Sequence, residues 1–571
     1  MRILVIVFLL CSEWLAAQVF VPANYPKGYF RNPLNIPMDL SGNFGELRPN
    51  HYHMGLDLKT KARENLPVHA AADGYVSRIK IEPAGFGRAI YVNHPNGYTT
   101  LYAHLNDFNP ALEAWVKEQQ YKLQSWRVFL DVPASLFPVK KGDLLAYSGN
   151  TGGSQAPHLH FEIRRTSDDV NLNPLLFGLP LTDNVAPRIL RMGIFDRKKS
   201  VYEQVTRLFP VKSTGANKYQ AVPELIIVSS PLISFGVGAF DTHTGSSNLN
   251  GIFESILYVD EQPIVGFEMD HISYNDTRYL NAHIDYKTKE LGGPWVQQIF
   301  DLPGYVNSIY KKIKTDGAVD LSDGAVHAVR IDVKDTYLNT ATLECRVQYK
   351  APAVPPATPP VSTNNPMFYP LMLDGFERDD CEYFIGERCL YDSVHIRYNR
   401  ATANPKAVSA LHQIGASYIP LQEAFLVRIK PIRTLTPAEQ QRTVMQWFAG
   451  SKKDVQKVEW QNDWASARFR DFGSYQLLVD EEPPQVVPIG FSDGADLSKA
   501  SRIAFTIKDN YDKFKNVKPL LDGRWLRFSN DKGRTFIYRF DEKCPPGKHT
   551  LTIYAEDEAG NSTTSSYSFT R

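Results

Sequence analysis

The sequence has little cysteine, no apolar run long enough to span a membrane and almost no net charge, and each shortage excludes a class of protein. Only five cysteines occur in 571 residues, and none of them forms a CxxC pair of the kind that holds a structural metal. The apolar run at residues 3–10 cannot cross about 30 Å of hydrocarbon, and no later segment can either. A formal net charge of +1 argues against a nucleic-acid binder, which normally carries a basic excess.

The first 17 residues have the organisation of an export signal. Arg2 is basic, an apolar run follows, and small residues end at Ala17. We therefore expect residues 1–17 to be a signal peptide and the mature chain to be exported to the periplasm or cell envelope, or to the extracellular space. A lipid anchor on Cys11 is the weaker alternative, because bulky Leu10 occupies a position where a small residue is expected.

A proline-rich segment and an internal repeat divide the rest of the chain. The segment APAVPPATPPVSTNNP, residues 351–366, predicts an extended linker. Residues 327–342 align without gaps with residues 549–564, and both segments show period-two alternation followed by an Asp-to-Asn turn. Both are similar to the closing strands of immunoglobulin-like sandwiches. The histidines of the repeat, His327 and His549, are expected to be structural.

Histidine is concentrated in the N-terminal part, where seven of the 14 histidines lie between residues 51 and 160. The stretch QAPHLHFEI reads as a β-strand in which His158 and His160 share one face while Leu159 and Phe161 share the other. The segment HYHMGLDL supplies His53 and, four residues later, an aspartate. The segment GYTTLYAHL supplies His104 on a predicted strand whose Thr100 and Tyr102 share its face. Imidazole nitrogen and carboxylate oxygen are ligands that zinc accepts, so these segments predict a metal site.

These segments together resemble the M23 metallopeptidases, the lysostaphin and LytM group. The resemblance rests on H-x-x-x-D at residues 53–57, Y-x-H-L at 102–105 and H-x-H at 158–160, and it covers residues 45–177. It implies that His53, Asp57 and His160 bind Zn²⁺. It also implies that His104 and His158 are the catalytic imidazoles, since the HExxH glutamate of other zinc peptidases is absent.

The neighbouring histidines and Glu162 receive other interpretations. His51 falls outside the family pattern, and His69 and His94 lie in a strand entry and an Asn-His-Pro turn, so all three are expected to be structural. Glu162 lies on the histidine face of its strand if the alternation holds, which predicts a hydrogen bond to a ligand rather than a bond to the metal.

Two further expectations concern the insertion at about 106–138 and the cysteines. The insertion is longer than the family's usual connection, and Asn109 followed by Pro110 predicts the start of a helix. It is expected to form a lid or wall of the active site, with simple thickening of the domain as the alternative. A turn at Gly386 would allow a Cys381–Cys389 disulfide, and free thiols are the alternative.

The predicted fold class is mainly β: an antiparallel-β M23 catalytic domain followed by immunoglobulin-like β-sandwich modules. The predicted function is that of an exported zinc metalloendopeptidase that hydrolyses peptide cross-links of peptidoglycan, with envelope proteins as partners of the sandwich modules and with no nucleic acid. The alternatives are a non-catalytic LytM-like wall-binding or activator protein, and an adhesion protein that acts through its sandwiches. The expected units are a signal peptide at 1–17, an M23 domain at 18–185, a sandwich at 186–350, a linker at 351–366, a β-rich module at 367–481 and a sandwich at 482–571.

Overall fold

In the computed structural model the chain consists mostly of β-strands, and residues 19–21, 23–353 and 364–571 are described. The expected signal peptide and most of the expected linker lie outside this part of the chain. No helix among the described residues is both long and apolar enough to cross a membrane. Four regions are distinguished below: the N-terminal domain up to residue 185, and the first, second and third β-domains at 186–350, 367–481 and 482–571.

The N-terminal domain is built from short antiparallel strands and one helix. In chain order they are β1 Leu40–Gly42, β2 Leu47–Arg48, β3 His51–Tyr52, β4 Leu56–Lys59, β5 Pro67–His69, β6 Gly74–Ile81, β7 Arg88–Asn93, β8 Tyr98–Ala103, β9 Leu105–Phe108, α1 Pro110–Leu123, β10 Val128–Asp131, β11 Pro138–Val139, β12 Leu144–Ser148, β13 His158–Arg165 and β14 Asn171–Leu172, followed by a 3-10 helix at Pro174–Phe177.

Two sheets of this domain enclose its core. The large sheet has the spatial order β1-β4-β13-β8-β7-β6-β10, and the small sheet has the order β5-β12-β9. Leu159 and Phe161 of β13 are fully buried in one apolar cluster with Val68 and Leu145 of the small sheet. Burial of one face of β13 fixes its register, because a slip of one residue would turn the histidines into the core.

The insertion contains the predicted helix and packs against the domain core and the third β-domain. Asn109 caps α1 by accepting a hydrogen bond from the backbone N–H of Leu112 at 3.0 Å, and Leu112 and Val116 are buried against the domain. Strand β10 pairs with β6 at the edge of the sheet farthest from β4. The outer face of α1 contacts the third β-domain, where Tyr121 packs edge-on against Trp525. The described contacts of the insertion therefore support the third β-domain rather than cover the histidine strands.

The first β-domain has one extended eleven-stranded sheet. Its strands in spatial order are Gln297–Gln298, Leu232–Phe240, Arg188–Asp196, Arg207–Gly215, Lys218–Val228, Thr340–Tyr349, Val326–Lys334, Glu254–Val259, Gln262–Glu268 and Tyr310–Lys312, and Val319–Asp320 pairs with Leu232–Phe240. Short helices at Tyr274–Tyr279, Leu280–His283 and Tyr286–Glu290 connect two of the strands, and His271–Ile272 pairs with β14.

The second and third β-domains each contain two main sheets. One sheet of the second domain contains Asp374–Glu377, Cys381–Ile385, Pro420–Ile429, Trp464–Asp471 and Glu459–Gln461. The other contains Tyr398–Ala401, Leu411–Ile414, Gly473–Val479, Thr443–Ala449 and Lys452–Lys457. This domain also has a short strand pair, Met367–Phe368 with Val394–His395, and a helix at Pro437–Gln441. The three-stranded sheet of the third domain contains Gln485–Ile489, Arg502–Lys508 and Thr535–Arg539. Its five-stranded sheet contains Ala495–Asp496, Ser562–Thr570, Lys548–Asp557, Phe514–Leu521 and Arg524–Trp525.

The predicted disulfide is not formed, and the four cysteines of the described chain are buried free thiols. Cys381 begins a five-residue strand that pairs with Asp374–Glu377 on one side and Pro420–Ile429 on the other. Cys389 follows the turn at the far end of that strand, where its backbone N–H bonds the carbonyl of Gly386. The chain does not fold back at Gly386 to pair with its own strand. About 16 Å of extended backbone therefore separates Cys381 from the turn that precedes Cys389.

Candidate metal centre

The histidine cluster is positioned by three neighbouring strands. Strand β13 lies between β4 and β8, and the antiparallel register places His160 beside Asp57 on one side and beside Ala103 on the other. His158 and His160 therefore project from one face of β13 toward the end of β4, as the alternation predicted.

The three predicted metal ligands converge. The Nε2 atom of His53 lies 3.0 Å from Oδ1 of Asp57 and 3.0 Å from Nδ1 of His160, and the latter nitrogen lies 3.0 Å from the same Asp57 oxygen. All three side chains are buried. The sequence-predicted set His53, Asp57 and His160 is thus brought together in one place.

Hydrogen bonds on the outer sides of the two imidazoles fix which nitrogen faces the cluster. Nδ1 of His53 donates to the backbone carbonyl of Asn43 at 2.8 Å, and Nε2 of His160 donates to Oε1 of Glu162 at 2.9 Å. The remaining nitrogens then present lone pairs next to the Asp57 oxygen. Two imidazole nitrogens and one carboxylate oxygen with these outer partners fit the donor set and the supporting hydrogen bonds of a zinc site.

The Glu162 carboxylate anchors the outer side of the cluster and is completely buried. It accepts further hydrogen bonds from Nε of Arg164 at 2.7 Å and Nδ2 of Asn171 at 2.8 Å. Burial alone would raise its pKa, but Arg164 and His160 outweigh burial and lower the pKa to about 2. Glu162 is therefore a permanently charged acceptor for His160, the hydrogen-bonding role that its strand position predicted.

The proton balance of the metal-free cluster follows from burial and mutual contacts. Burial lowers the pKa of His53. Burial would also lower the pKa of His160, but hydrogen bonds to Asp57 and Glu162 raise it to about 9. For Asp57 the opposing effect of burial is exceeded by its contacts with His53, His158 and His160, so its pKa lies well below the usual range. The cluster without metal therefore consists of a carboxylate and a protonated His160.

The two remaining predicted site residues, His104 and His158, border the ligands. Their ring centroids are 4.7 Å apart, and the His104 ring lies 5.8 Å from that of His160. Nδ1 of His104 donates to the carbonyl of Thr151 at 2.9 Å, and Nδ1 of His158 donates to the carbonyl of Ala156 at 2.8 Å. Nε2 of His158 lies 3.3 Å from Oδ1 of Asp57. All five predicted residues therefore share one site.

His104 differs from the sequence expectation in its backbone. Strand β8 ends at Ala103, and His104 adopts a left-handed conformation with φ 61°. Thr100 and Tyr102 do not share its face; their hydroxyls hydrogen-bond each other at 2.9 Å. The expected strand position for His104 was wrong, because the left-handed turn interrupts the alternation and directs its imidazole toward Thr151.

The other histidines of the N-terminal domain make structural hydrogen bonds. Nδ1 of His51 contacts the carbonyl of Pro49 at 2.9 Å and does not join the cluster. Nδ1 of His69 contacts the carbonyl of Gly142 at 2.9 Å, and His94 bridges the carbonyl of Asp73 and the hydroxyl of Thr100, each at 2.8 Å.

Arg48 and Glu46 belong to the site and were not predicted from the sequence. An Nη2 atom of Arg48 lies 2.9 Å from Oδ2 of Asp57, and Nε of Arg48 lies 3.1 Å from Glu46. Burial raises the pKa of Glu46 to about 7 despite the neighbouring guanidinium. Arg48 occupies the outer oxygen of Asp57 and leaves Oδ1 to face the histidines. No sequence pattern marked either residue, since both lie outside the histidine motifs.

Two β-domains contribute to the surroundings of the cluster. Tyr274 of the first β-domain packs 6.2 Å from the ring of Phe86, which itself lies 5.7 Å from the ring of His160. Lys532 of the third β-domain donates to the carbonyls of Gly152 and Ser154 at 3.3 and 2.5 Å.

The segment that Lys532 contacts is the glycine-rich turn, defined here as residues 149–157, which precedes His158. Gly152 has φ +66°, and a Cβ atom there would lie 2.2 Å from the backbone nitrogen of Gly87, so only glycine fits. Its N–H donates to the carbonyl of Asp531 at 2.9 Å. The turn that leads to one catalytic candidate is thus bonded to the far end of the chain.

Two family models match parts of the chain. The model described as Peptidase family M23 matches residues 51–121 and 137–174, and the model described as Zu5-like domain matches residues 372–480. The N-terminal match includes all five residues of the cluster and leaves out part of the insertion. The second match falls on the second β-domain, for which the sequence had predicted only a β-rich module.

Relatives match over a part of the chain of 162 to 179 residues. An uncharacterized metalloprotease of Haemophilus influenzae is 33% identical over 167 residues, which is 28% of this chain and 29% of the relative. The DD-carboxypeptidase/endopeptidase Mpg of Neisseria meningitidis is 30% identical over 162 residues, 28% of either chain. Peptidoglycan DD-endopeptidase ShyA of Vibrio cholerae is 25% identical over 179 residues, 30% of this chain and 35% of the relative. The matched region therefore spans about a third or less of these relatives.

Solved structures are similar to about a quarter of the chain. The catalytic domain of the M23 protein EnpA from Enterococcus faecalis is 19% identical, covers 26% of this chain and 96% of that one, and has a TM-score of 0.19. The catalytic domain of lysostaphin from Staphylococcus simulans is 23% identical, covers 24% and 87%, and has a TM-score of 0.18.

Proposed function

We propose that the protein is a zinc metalloendopeptidase that hydrolyses peptide cross-links of bacterial peptidoglycan, because the model of peptidase family M23 matches its N-terminal domain. One observation carries the proposal: three donor atoms of His53, Asp57 and His160 converge at 3.0 Å beside two further imidazoles. The substrate class is supported by relatives whose names describe peptidoglycan DD-endopeptidases.

The three converging residues would hold the zinc. Bound there, the ion supplies Lewis-acid chemistry, polarising a carbonyl and acidifying water. The protein's own contribution is to orient the donors: the Asn43 carbonyl and the Glu162 carboxylate hold the two imidazoles, and Arg48 holds Asp57. Because the site is buried on its inner side, the substrate must approach along the side of His158, whose side chain is 15% exposed.

His104 and His158 would move protons. Each donates its Nδ1 hydrogen to a backbone carbonyl, so the Nε2 atom of each carries the lone pair. Burial lowers the pKa of His104 to about 3, so this imidazole is neutral at neutral pH. One Nε2 can accept the proton that attacking water releases. The resulting N–H can then stabilise the developing oxyanion or deliver the proton to the leaving amine.

Digestion of purified peptidoglycan with residues 18–571 tests the proposal. Mass spectrometry of the released fragments should find new free amino ends within cross-links, and His160→Ala protein should release none. Binding of the wall polymer without any cleavage by zinc-loaded protein would contradict the enzyme and favour the wall-binding function instead.

The location of the protein and the fold of its outer modules belong to the same proposal. We infer export from residues 1–17, and N-terminal sequencing of the secreted or envelope form should begin at Gln18. We further infer that the first and third β-domains are immunoglobulin-like modules that bind envelope partners. The third supports this interpretation with a three-stranded and a five-stranded sheet around one apolar cluster.

A further inference from the structure

A second group of acidic side chains lies where the N-terminal domain leads into the first β-domain. Asp183 precedes that domain, Asp241 follows its strand Leu232–Phe240, and Asp335 begins the turn after strand Val326–Lys334. One carboxylate oxygen from each residue lies within 4.8 Å of the others. The proposed peptidase reaction uses none of the three.

The group is buried without a compensating charge. Asp241 is 5% exposed and Asp335 is 2% exposed. Oδ1 of Asp241 has no hydrogen-bond partner, and within the described chain none of the three carboxylates forms an ion pair. Burial and the neighbouring carboxylates raise the pKa of Asp241 to about 8. A buried carboxylate with one unpartnered oxygen beside two other carboxylates costs free energy that a bound cation would offset.

Hydrogen bonds hold the group in place. Oδ1 of Asp335 accepts from the backbone N–H groups of Tyr337 and Asn339 at 2.8 and 2.9 Å, and Oδ2 accepts from Nδ2 of Asn339 at 2.7 Å. Oδ1 of Asp183 accepts from the backbone N–H groups of Val185 and Thr244, both at 3.0 Å. The carboxylates are therefore held close together by the backbone although they repel one another.

We propose that Asp183, Asp241 and Asp335 bind a calcium ion. The donors are all oxygens, which calcium prefers over the nitrogen and sulfur ligands that zinc accepts. Calcium bonds oxygen at about 2.3–2.6 Å, so two of its ligands can be separated by up to about 5 Å. Asp183 is only half-buried, which leaves a side from which water can complete the coordination.

The third β-domain is associated with corresponding acids in a different electrostatic setting. Asp480, which directly precedes that domain, and Asp509 and Asp557 within it correspond to Asp183, Asp241 and Asp335: each first aspartate stands four residues before a proline, and each second one directly follows a strand.

A shared hydrogen bond supports this correspondence. Nδ2 of Asn561 donates to the carbonyl of Asp480 at 2.9 Å, as Nδ2 of Asn339 does to the carbonyl of Asp183 at 3.4 Å.

A lysine accompanies the acids only in the third β-domain. The ammonium of Lys457 interacts electrostatically with Asp557 and Asp480, and it donates to the carbonyl of Ala559 at 2.8 Å. Among the described residues, a converging three-carboxylate group forms in the first β-domain and not in the third. A lysine ammonium thus offsets the acidic charge near Asp557, whereas the group at Asp335 could accept a metal cation.

Calorimetric titration of the zinc-loaded chain, residues 18–571, with calcium chloride tests the site. We expect about one calcium per chain with a Kd of roughly 10⁻⁴ to 10⁻³ M, the range of extracellular calcium modules. Asp241→Asn should weaken binding at least tenfold, while the matched variant Asp509→Asn should bind as the parent does. Zinc content and circular dichroism of each variant check that the fold is retained.

The outcomes separate the proposal from its alternatives. Should Asp241→Asn not fold, Asp183→Asn tests the same site from its half-buried side and should also weaken binding. Any of three results would overturn the site. The parent chain could show no calcium-dependent heat, the Asp241 and Asp183 variants could bind calcium as tightly as the parent, or Asp509→Asn could lose as much affinity as Asp241→Asn. The result does not depend on peptidase activity.

Discussion

Asp57 contacts four side chains in the proposed zinc site, and its two oxygens have different roles. Its Oδ1 faces His53, His158 and His160, while its Oδ2 is held by Arg48. One oxygen is thereby reserved for the metal. A ligand with only one oxygen free binds in a defined direction, which is what a catalytic site with an open position requires.

Removing a ligand and removing a proton-transfer residue should have different effects. His160→Ala should abolish zinc binding, since it deletes one of three donors, whereas His104→Ala should keep about one zinc per chain and lose 10²-fold or more in kcat/KM. Elemental analysis and peptide hydrolysis measure the two quantities. Equal metal loss in both variants would contradict the assigned roles.

Zinc should bind more tightly as the pH rises. In the metal-free protein the pKa of His160 is about 9, so at lower pH zinc must displace its proton. The apparent association constant should increase by up to about tenfold per pH unit and level off above about pH 9. Competition with a chromogenic chelator at several pH values measures it.

The control for this pH dependence is Glu162→Gln. It removes the carboxylate that helps to raise the pKa of His160, so its affinity should level off at a lower pH. An affinity independent of pH in the parent protein would contradict the proton displacement.

Thiol reactivity should be low in the native chain. Burial raises the pKa of Cys345 to about 12 and that of Cys544 to about 11, so neither side chain is a thiolate at neutral pH. We expect residues 18–571 to react with an aromatic disulfide reagent only after denaturation, and then at four sites. Mapping under non-reducing conditions that finds a Cys381–Cys389 peptide would contradict the structure.

The sequence predicted which residues converge better than it predicted their supports. The strand alternation around His158 and His160 and the spacing of His53 from Asp57 are local, so they could be read directly. Arg48, the Asn43 carbonyl and the left-handed turn at His104 could not, because their roles depend on how separate segments pack.

At the scale of elements, the hairpins of the internal repeat were predictable. Strands Val326–Lys334 and Thr340–Tyr349 pair in the first β-domain, as Lys548–Asp557 and Ser562–Thr570 do in the third. The histidine that begins each repeat bonds an aspartate through Nδ1 at 2.7 Å, as expected for a structural role. The placement of α1 was not predictable, because its outer face contacts a domain about 400 residues away in sequence.

The glycine-rich turn should depend on Lys532 for its order. Lys532→Ala removes the donor to the carbonyls of Gly152 and Ser154, so the turn should loosen and kcat/KM should fall by about two- to tenfold, with zinc content unchanged. The exposed Lys518 of the same domain supplies the control variant Lys518→Ala, which should retain full activity. A parent-like kcat/KM in Lys532→Ala would mean that the turn is held without this lysine.

At the scale of the whole molecule, one apolar cluster joins the N-terminal domain to two β-domains. It contains Tyr52 and Met54 beside residues of the first and second β-domains. Within it the hydroxyls of Tyr52 and Tyr305 are 3.0 Å apart. This continuity indicates that the first three regions unfold in one cooperative transition rather than as independent domains.

Removal of the third β-domain should affect the glycine-rich turn without removing the zinc site. A chain that ends at residue 481 loses the carbonyl of Asp531 that accepts from the N–H of Gly152. Hydrogen exchange at residues 149–157 should therefore become at least tenfold faster, while strand β13 should keep its protection. Unchanged exchange in the turn would mean that this contact adds no local stability.

The contact between Lys532 and the glycine-rich turn also sets an order in time. Ser154 and Lys532 are 378 residues apart, so at about 5–20 residues per second the ribosome adds the lysine on the order of 20–80 s after the turn. During that interval the proposed zinc ligands are already synthesised, but the turn before His158 lacks its distal partner. A newly made chain would therefore pass through a stage in which it can take up zinc before its peptidase site is fully ordered.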